Sequence, residues 1–468
     1  RCLRDRLHGV ETGMMNQARR WRQVRFVGVA AAVAAAAVGA LIGTAPPALG
    51  QDGGDLRVTP VAPKSARGGA LDQKTIDAAI AQSVEMLVAM QEDARGVRAS
   101  DADEKAAGAC AQWPYEGVYR VGGEIPVGYR IGGTSICAVA LMRAPGYDQN
   151  EGAKRAVAKA AAFVEKELQH KLMNPDYEGG YDVRGWGYTY GLQFMLALME
   201  NDGARMPEGF AEKANAAARW CVSAIEQTEI PQVGGWNYAR APGKNAVSPP
   251  SPFMTGPTLQ ALFEARRQGL TVNDAVVERG LKCLERARTK TGSVVYSGVD
   301  GEASGEAVAG SVGRMLVSET TLALAGRSTP ERVRGSIDAF FTHWEWLEKR
   351  RRQNGTHVAP FGIAPYYFFY AHYYAAQAIE TLPRADRGEY RRKLAQTLFG
   401  VREQDGTWND RVFDRSANYG TAMAMMALNM KNLPKPAPWG GAQVKPGEPD
   451  GARTDASRAG ARLEQAPG

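Results

Sequence analysis

The 468-residue sequence predicts an all-α protein, an (α/α)6 toroid in which six helical hairpins build two concentric rings. Three observations carry that expectation. Six segments, "TSICAVAL", "GLQFMLAL", "TGPTLQAL", "VSETTLAL", "YYAAQAI" and "GTAMAMMAL", end on a small-apolar step at Leu141, Leu198, Leu262, Leu324, Ile379 and Leu428, at intervals of 57, 64, 62, 55 and 49 residues. Recurrence at such intervals marks a repeated supersecondary unit. Alternating with them are six segments that each carry a charged face and an apolar stripe. No strand-like alternation of comparable length interrupts the series.

The amphipathic series begins with "IDAAIAQSVEMLVAMQ", where Ile76, Ile80, Val84, Leu87 and Met90 recur at three- to four-residue spacing. One face meets the core and the other meets water. "AKRAVAKAAAFVEKELQ", "FAEKANAAARWCVSAIEQ", "DAVVERGLKCLERAR", "RVRGSIDAFFTHWEWLEKRR" and "EYRRKLAQTLFGVREQ" follow in the same style. The small-apolar series carries few charges around its circumference, so it is expected on the inside, with its helix amino ends crowded around one mouth. The loops that lead inward, "CAQWPYEG", "EGGYDVRGWGYTYG", "QVGGWNYA", "TGSVVYSG" and "QDGTWND", mostly place an aromatic soon after glycine. Glycine permits the tight reversal, and the aromatic fills the gap between layers. Trp408 is therefore expected as a structural plug.

At these residues the sequence resembles the prenyltransferase and squalene oxidase repeat group, the α/α toroids of terpenoid cyclases and protein prenyltransferase β subunits. Gln404-x-Gly406-x-Trp408 is similar to that group's glutamine-tryptophan motif, and "GGWNY" at Gly234–Tyr238 to a weaker copy. The resemblance covers about residues 70–432 and implies the toroid; its implications for chemistry are tested residue by residue. The acid motif of the cyclases has its nearest match in "DADE", Asp101–Glu104, which reads as a solvated charge run rather than a strong acid at a helix mouth. For the zinc site of the prenyltransferases only His372 stands where a ligand would, without the Asp or Cys that should precede it. No thioester stretch of the complement type is present. Neither a metal nor a cofactor is expected.

The candidate site residues come from what remains. In "IAPYYFFYAHYYAAQAI", Pro365 opens a helix and Tyr366, Tyr370, Tyr373 and Gln377 share one face, with His372 one step away. Buried phenols need partners, so a tyrosine face is either a cavity lining or a set of satisfied wedges. Asp410 and Asp414, with Arg411 and Arg415, stand just before the last inner helix. Asp182 and Arg184 repeat the arrangement around Trp186, Tyr188 and Tyr190, and Arg314 and Glu319 are charged positions in an otherwise apolar inner segment. The expected function is an exported toroid, not catalytic, that binds an apolar or amphipathic small molecule, a glycan or a protein partner at an aromatic mouth. A terpenoid-cyclase-like enzyme with a displaced acid, or a polysaccharide-processing enzyme with two facing carboxyls, is the alternative.

Composition bounds the rest. Residues 1–13 read as an extension ahead of Met14 or Met15. The Arg-rich start, the run Phe26–Gly43 and the small residues Ala48 and Gly50 read as an export signal within residues 1–50, cleaved before Gln51. A membrane association follows only if that leader is retained. Residues 1–50 hold seven Arg against two acids, so the remaining 50 bases and 48 acids leave a net charge of +2 and no case for nucleic acid. Residues 51–70 read as a flexible linker, residues 71–432 as the toroid, and residues 433–468, with frequent Pro and Gly, as a disordered tail. Cys137, Cys221 and Cys283 sit in apolar helical patterns as buried thiols, while Cys110 lies in a loop from which a bridge to Cys137 is conceivable.

Overall fold

The computed structural model describes residues 71–93, 96, 98, 110–178, 183–200, 209–238 and 248–440. The leader, the linker, the 101–104 charge run, Asp182 and the tail beyond 440 lie outside them. Among the described residues there are twelve α-helices and no strand, only isolated β-bridges. The odd-numbered helices are α1 (Gln73–Met90), α3 (Glu151–Leu168), α5 (Phe210–Gln227), α7 (Asp274–Arg286), α9 (Pro330–Arg350) and α11 (Arg387–Gly400). The even-numbered ones are α2 (Val127–Met142), α4 (Arg184–Glu200), α6 (Pro252–Arg267), α8 (Val308–Leu324), α10 (Tyr367–Thr381) and α12 (Ala417–Asn429).

The even helices form the inner ring. α2 packs on α4, α4 on α6, α6 on α8, α8 on α10, α10 on α12, and α12 returns to α2, so the ring is closed. Each odd helix lies outside its even neighbours and buries one stripe; in α1 this is Ala79, Ile80, Ser83, Val84 and Leu87. In α8, by contrast, every residue from Ala309 to Leu322 is buried. Close approach in the inner layer depends on small residues. A Cβ at Gly132 would lie 2.1 Å from Cδ1 of Trp186, and one at Gly420 would lie 2.2 Å from the Trp408 carbonyl oxygen.

The loop tryptophans fasten the layers. Trp113, Trp236 and Trp408 donate their indole N–H to the carbonyls of Leu87, Ile225 and Leu398, at 2.7, 2.8 and 2.8 Å, near the carboxyl ends of α1, α5 and α11. Their backbone N–H groups donate to Oγ1 of Thr134, Thr255 and Thr421 in the inner helices that follow, at 3.0, 3.1 and 3.1 Å. Each indole thus adds a donor to a carbonyl in the last turn of the outer helix: the Leu87 carbonyl has no cap bond, while those of Ile225 and Leu398 also accept the N–H of Thr228 and Val401 at 3.2 and 3.3 Å. Trp408 is fully buried, a structural plug as its position after a glycine turn predicts. In the fourth hairpin Val294 takes the tryptophan's place and donates its N–H to Ser311 Oγ.

Helix capping differs between the layers. Asp72, Asn150, Asn273 and Thr329 cap α1, α3, α7 and α9 with side-chain oxygens. The inner helices α2, α6, α8, α10 and α12 begin without such a bond. Their amino ends face the mouth, and the positive ends of their dipoles remain available there. At the opposite end, residues 433–440, which composition assigns to the tail, lie across the base of the ring. The Trp439 N–H donates to the Leu324 carbonyl at 2.9 Å, and its ring packs against Phe263 and under Arg266. Cys110, Cys137, Cys221 and Cys283 are all free thiols. Among the described residues no helix is long and apolar enough to cross a membrane.

Candidate functional site

The inner-helix amino ends enclose a cluster of aromatic rings. Trp186 of α4 lies 4.5 Å from Tyr190 and stacks near parallel with Phe253 of α6 at 6.2 Å. Phe253 in turn stacks on Tyr370 of α10 at 3.9 Å. On the other side Tyr115 packs against Tyr419 of α12 at 4.5 Å and against Trp186 at 6.2 Å. Several polar atoms of this cluster are buried without a hydrogen-bond partner, among them Trp186 Nε1 and the Tyr419 hydroxyl.

Asp410 is the charged member. The turn after Trp408 brings it inward, and its backbone carbonyl accepts the Arg352 N–H at 2.8 Å. Its side chain is fully buried, yet neither carboxyl oxygen sits in hydrogen-bonding geometry with any described group. Burial raises its pKa from 3.8 to about 7, against the opposing pull of Arg411. The Arg411 Nε donates to the Tyr115 hydroxyl at 3.0 Å, so the phenol stands between guanidinium and carboxyl. Burial drives the Tyr115 phenol well above its usual range. An unpaired buried carboxyl whose proton is held to near neutrality is the usual preparation of a proton donor.

The structure gathers some of the candidates and disperses others. Trp186, Tyr366, Tyr370 and Asp410 belong to the mouth cluster, and the tyrosine face of α10 does look across the ring. Tyr370 donates to the Phe253 carbonyl at 2.8 Å, and Gln377 Oε1 accepts from Gln260 of α6 at 2.9 Å. Tyr373 is on that face but lower, half-buried against Tyr374. Arg314 reaches the mouth as a fastener: it donates to Val294 O, the Tyr367 hydroxyl and Glu306, at 3.1, 3.2 and 2.7 Å.

Four expectations are corrected. His372 points outward to α9, where Nε2 accepts the Trp344 indole N–H at 2.9 Å and Nδ1 faces the Phe368 carbonyl at 2.7 Å, so its proton is on Nδ1. Burial lowers its pKa to about 3 and keeps it neutral. Tyr188 also points outward, donating to the Met173 carbonyl and meeting Trp220 of α5 edge-on. Glu319 is paired with Arg288 at 2.8 and 2.6 Å towards the outer layer. Asp414 lies exposed in a short 3-10 turn. In each case the helical position was right for burial or a rim, but the side chain faces the other layer or solvent.

Sequence reasoning missed Tyr115, Tyr419 and His357 as members of the site. His357 bonds to the hydroxyls of Tyr366 and Tyr367 at 3.1 and 3.2 Å. Its partial burial and the neighbouring Arg314, Arg411 and Arg350 hold its pKa below the ordinary value. Tyr115 and Tyr419 carried a faint signal, since each stands at the loop end of an inner hairpin close to a tryptophan. Among the described residues no group of three or more His, Cys, Asp or Glu side chains is placed to hold a metal ion.

No family model and no curated protein matches the chain. Solved structures with a similar arrangement include the GH76A α-1,6-mannanase of a Salegentibacter species, at 12% identity and a TM-score of 0.47, covering 76% of this chain and 99% of that one. An unsaturated glucuronyl hydrolase from Streptococcus agalactiae aligns at 12% identity and a TM-score of 0.49, covering 78% and 94%. Rex8A from Paenibacillus barcinonensis, bound to an arabinofuranosyl-xylotetraose, aligns at 13% identity and a TM-score of 0.46, covering 80% and 95%. These likenesses are remote, and the toroid rests on this chain's own ring closure.

Proposed function

We propose that the mouth of the inner ring binds a saccharide and that Asp410 delivers a proton to it. The single observation behind this reading is the Asp410 carboxyl, buried and unpaired beside the Tyr115 phenol with its pKa raised to about 7. Flat aromatic faces beside unpaired polar groups suit a ligand that is apolar on its ring faces and polar at its edges. A proton donor whose pKa lies near neutrality works efficiently at neutral pH.

The neighbouring carboxyls do not supply a second free acid. Glu306 is held by Arg314 at 2.7 Å, Glu403 by Arg351 at 2.8 Å, and Glu116 by Arg120 at 2.6 Å. Hydrolysis by two facing carboxylates is therefore less well supported than a reaction needing one proton donor. The finer resemblance to the prenyltransferase and squalene oxidase repeat group is retained here as a reading of the Trp408 and Trp236 turns, without its chemistry. Export, with Gln51 as the mature amino terminus, belongs to the same proposal and is tested by amino-terminal sequencing.

The deciding experiment offers the purified chain a panel of neutral and acidic oligosaccharides and follows binding by native mass spectrometry and product formation by chromatography. Asp410→Asn is expected to keep binding and to abolish product. Binding with no turnover in the parent protein would leave a non-catalytic receptor. Absence of binding across the panel would remove the saccharide reading.

A further inference from the structure

A cleft of about 280 Å3 lies at the end of the ring opposite the aromatic mouth. It opens between α1 and α11, over the carboxyl ends of α10 and α12. These are the first and last outer helices, and the space marks the seam where the outer layer starts and finishes. The cleft is close to the lower end of the sizes that hold small ligands.

Its walls are chemically divided. Ile76, Ile379, Leu394 and Leu428 supply an apolar floor, while Arg391, Arg392 and Lys431 stand among the lining residues with one acid, Glu380. Arg391 is tied to that acid at 2.6 Å, and Lys431 donates to the neutral Gln73 at 2.7 Å. Arg392 is exposed and makes no hydrogen bond or ion pair among the described residues. The rim thus keeps two positive charges that no carboxylate holds in a hydrogen bond or ion pair, beside an apolar slot; the acid one turn from Arg392, Glu389, is bonded to Lys393 instead at 2.7 Å. Both features are explained by one occupant, an anion with an apolar tail.

The chain's own segments outside the described residues complement this rim poorly. Residues 51–70, which lead into Leu71 at the cleft edge, carry three bases and two acids, and residues 441–468 carry four of each. We infer that the cleft between α1 and α11 binds a free single-chain carboxylate, its alkyl tail along Ile76 and Leu428, which the buried Ile379 backs, and its head group at Arg392 and Lys431. This site is separate from the mouth, which lies at the inner-helix amino ends, so either assignment can fail alone.

The test uses the full chain and laurate below its micelle concentration, with isothermal titration and a thermal-shift assay. One laurate per chain is expected to bind saturably. The double charge reversal Arg392→Glu with Lys431→Glu, both at solvent-facing positions, should weaken binding at least tenfold, and Ala427→Phe should block the slot. Dodecanol, with the same tail and no charge, should bind at least tenfold more weakly than laurate. The inference is overturned if the parent protein binds no laurate, if the charge-reversed protein binds it unchanged, or if dodecanol binds as tightly. Binding to anionic phospholipid vesicles without binding to free laurate would also overturn it, assigning the basic rim to a membrane surface instead.

Discussion

Trp408 and Asp410 are two residues apart and equally hidden from solvent, yet their polar atoms meet opposite fates. The Trp408 indole and backbone N–H groups both find acceptors, at 2.8 and 3.1 Å, and the same pair of bonds recurs at Trp113 and Trp236. Neither Asp410 carboxyl oxygen meets a donor in hydrogen-bonding geometry, although the Tyr115 phenol and the Arg411 guanidinium stand beside it. Folding alone accounts for the first arrangement, because it satisfies helix-end carbonyls and joins two layers. It does not account for the second, because an unpaired buried acid costs stability. The difference separates residues that hold the ring together from residues held in place by it.

The largest effect should come from the fastening side of this comparison. Trp408→Ala removes a large buried side chain and its indole bond to the Leu398 carbonyl, so urea denaturation should show a loss of about 3–5 kcal/mol, with a similar loss for Trp113→Ala. A loss below 1 kcal/mol would mean that the tryptophan bonds do not fasten the ring.

Asp410 should behave in the opposite sense. Its folded-state pKa is raised from 3.8 to about 7, so between those values the unfolded chain gives up the proton while the folded chain keeps it. Stability should therefore fall as pH rises from 4 to 7, by up to about 4 kcal/mol, and this slope should be absent in Asp410→Asn. Identical pH profiles for the two proteins would show that the carboxyl is not strained.

His372 supplies a buried titratable group that is fully bonded, and its pH response has the reverse sign. With its pKa lowered from 6.5 to about 3, the unfolded chain binds a proton that the folded chain excludes. Stability should drop by roughly 2 kcal/mol between pH 7 and pH 5, and His372→Gln should flatten that part of the profile. Because the ring faces α9, the same substitution should leave ligand binding at the mouth unchanged.

The smallest effects distinguish two tyrosines of one helix. Tyr370→Phe forfeits a bond to the Phe253 carbonyl and should cost about 1 kcal/mol, whereas Tyr373→Phe at a half-buried position should stay within about 0.5 kcal/mol. Equal costs would remove the distinction between a wedge with a satisfied hydroxyl and a looser lining residue.

The sequence by itself determined the architecture. Helical periodicity, the alternation of amphipathic and small-apolar segments, and the Gly-x-Trp turn are local patterns, and their repetition specified six hairpins and a buried Trp408. The tyrosine face of α10 was legible for the same reason, since spacing along one helix fixes which residues share a side. What only the tertiary structure decided was which buried polar group is satisfied. His372, Tyr188 and Glu319 point to the outer layer, and Tyr115 and Tyr419 meet at Asp410 from segments about 300 residues apart in sequence. Periodicity reports that a side chain is buried, whereas the partner it meets is set by ring closure, which brings α12 back to α2 and depends on contacts no local pattern encodes.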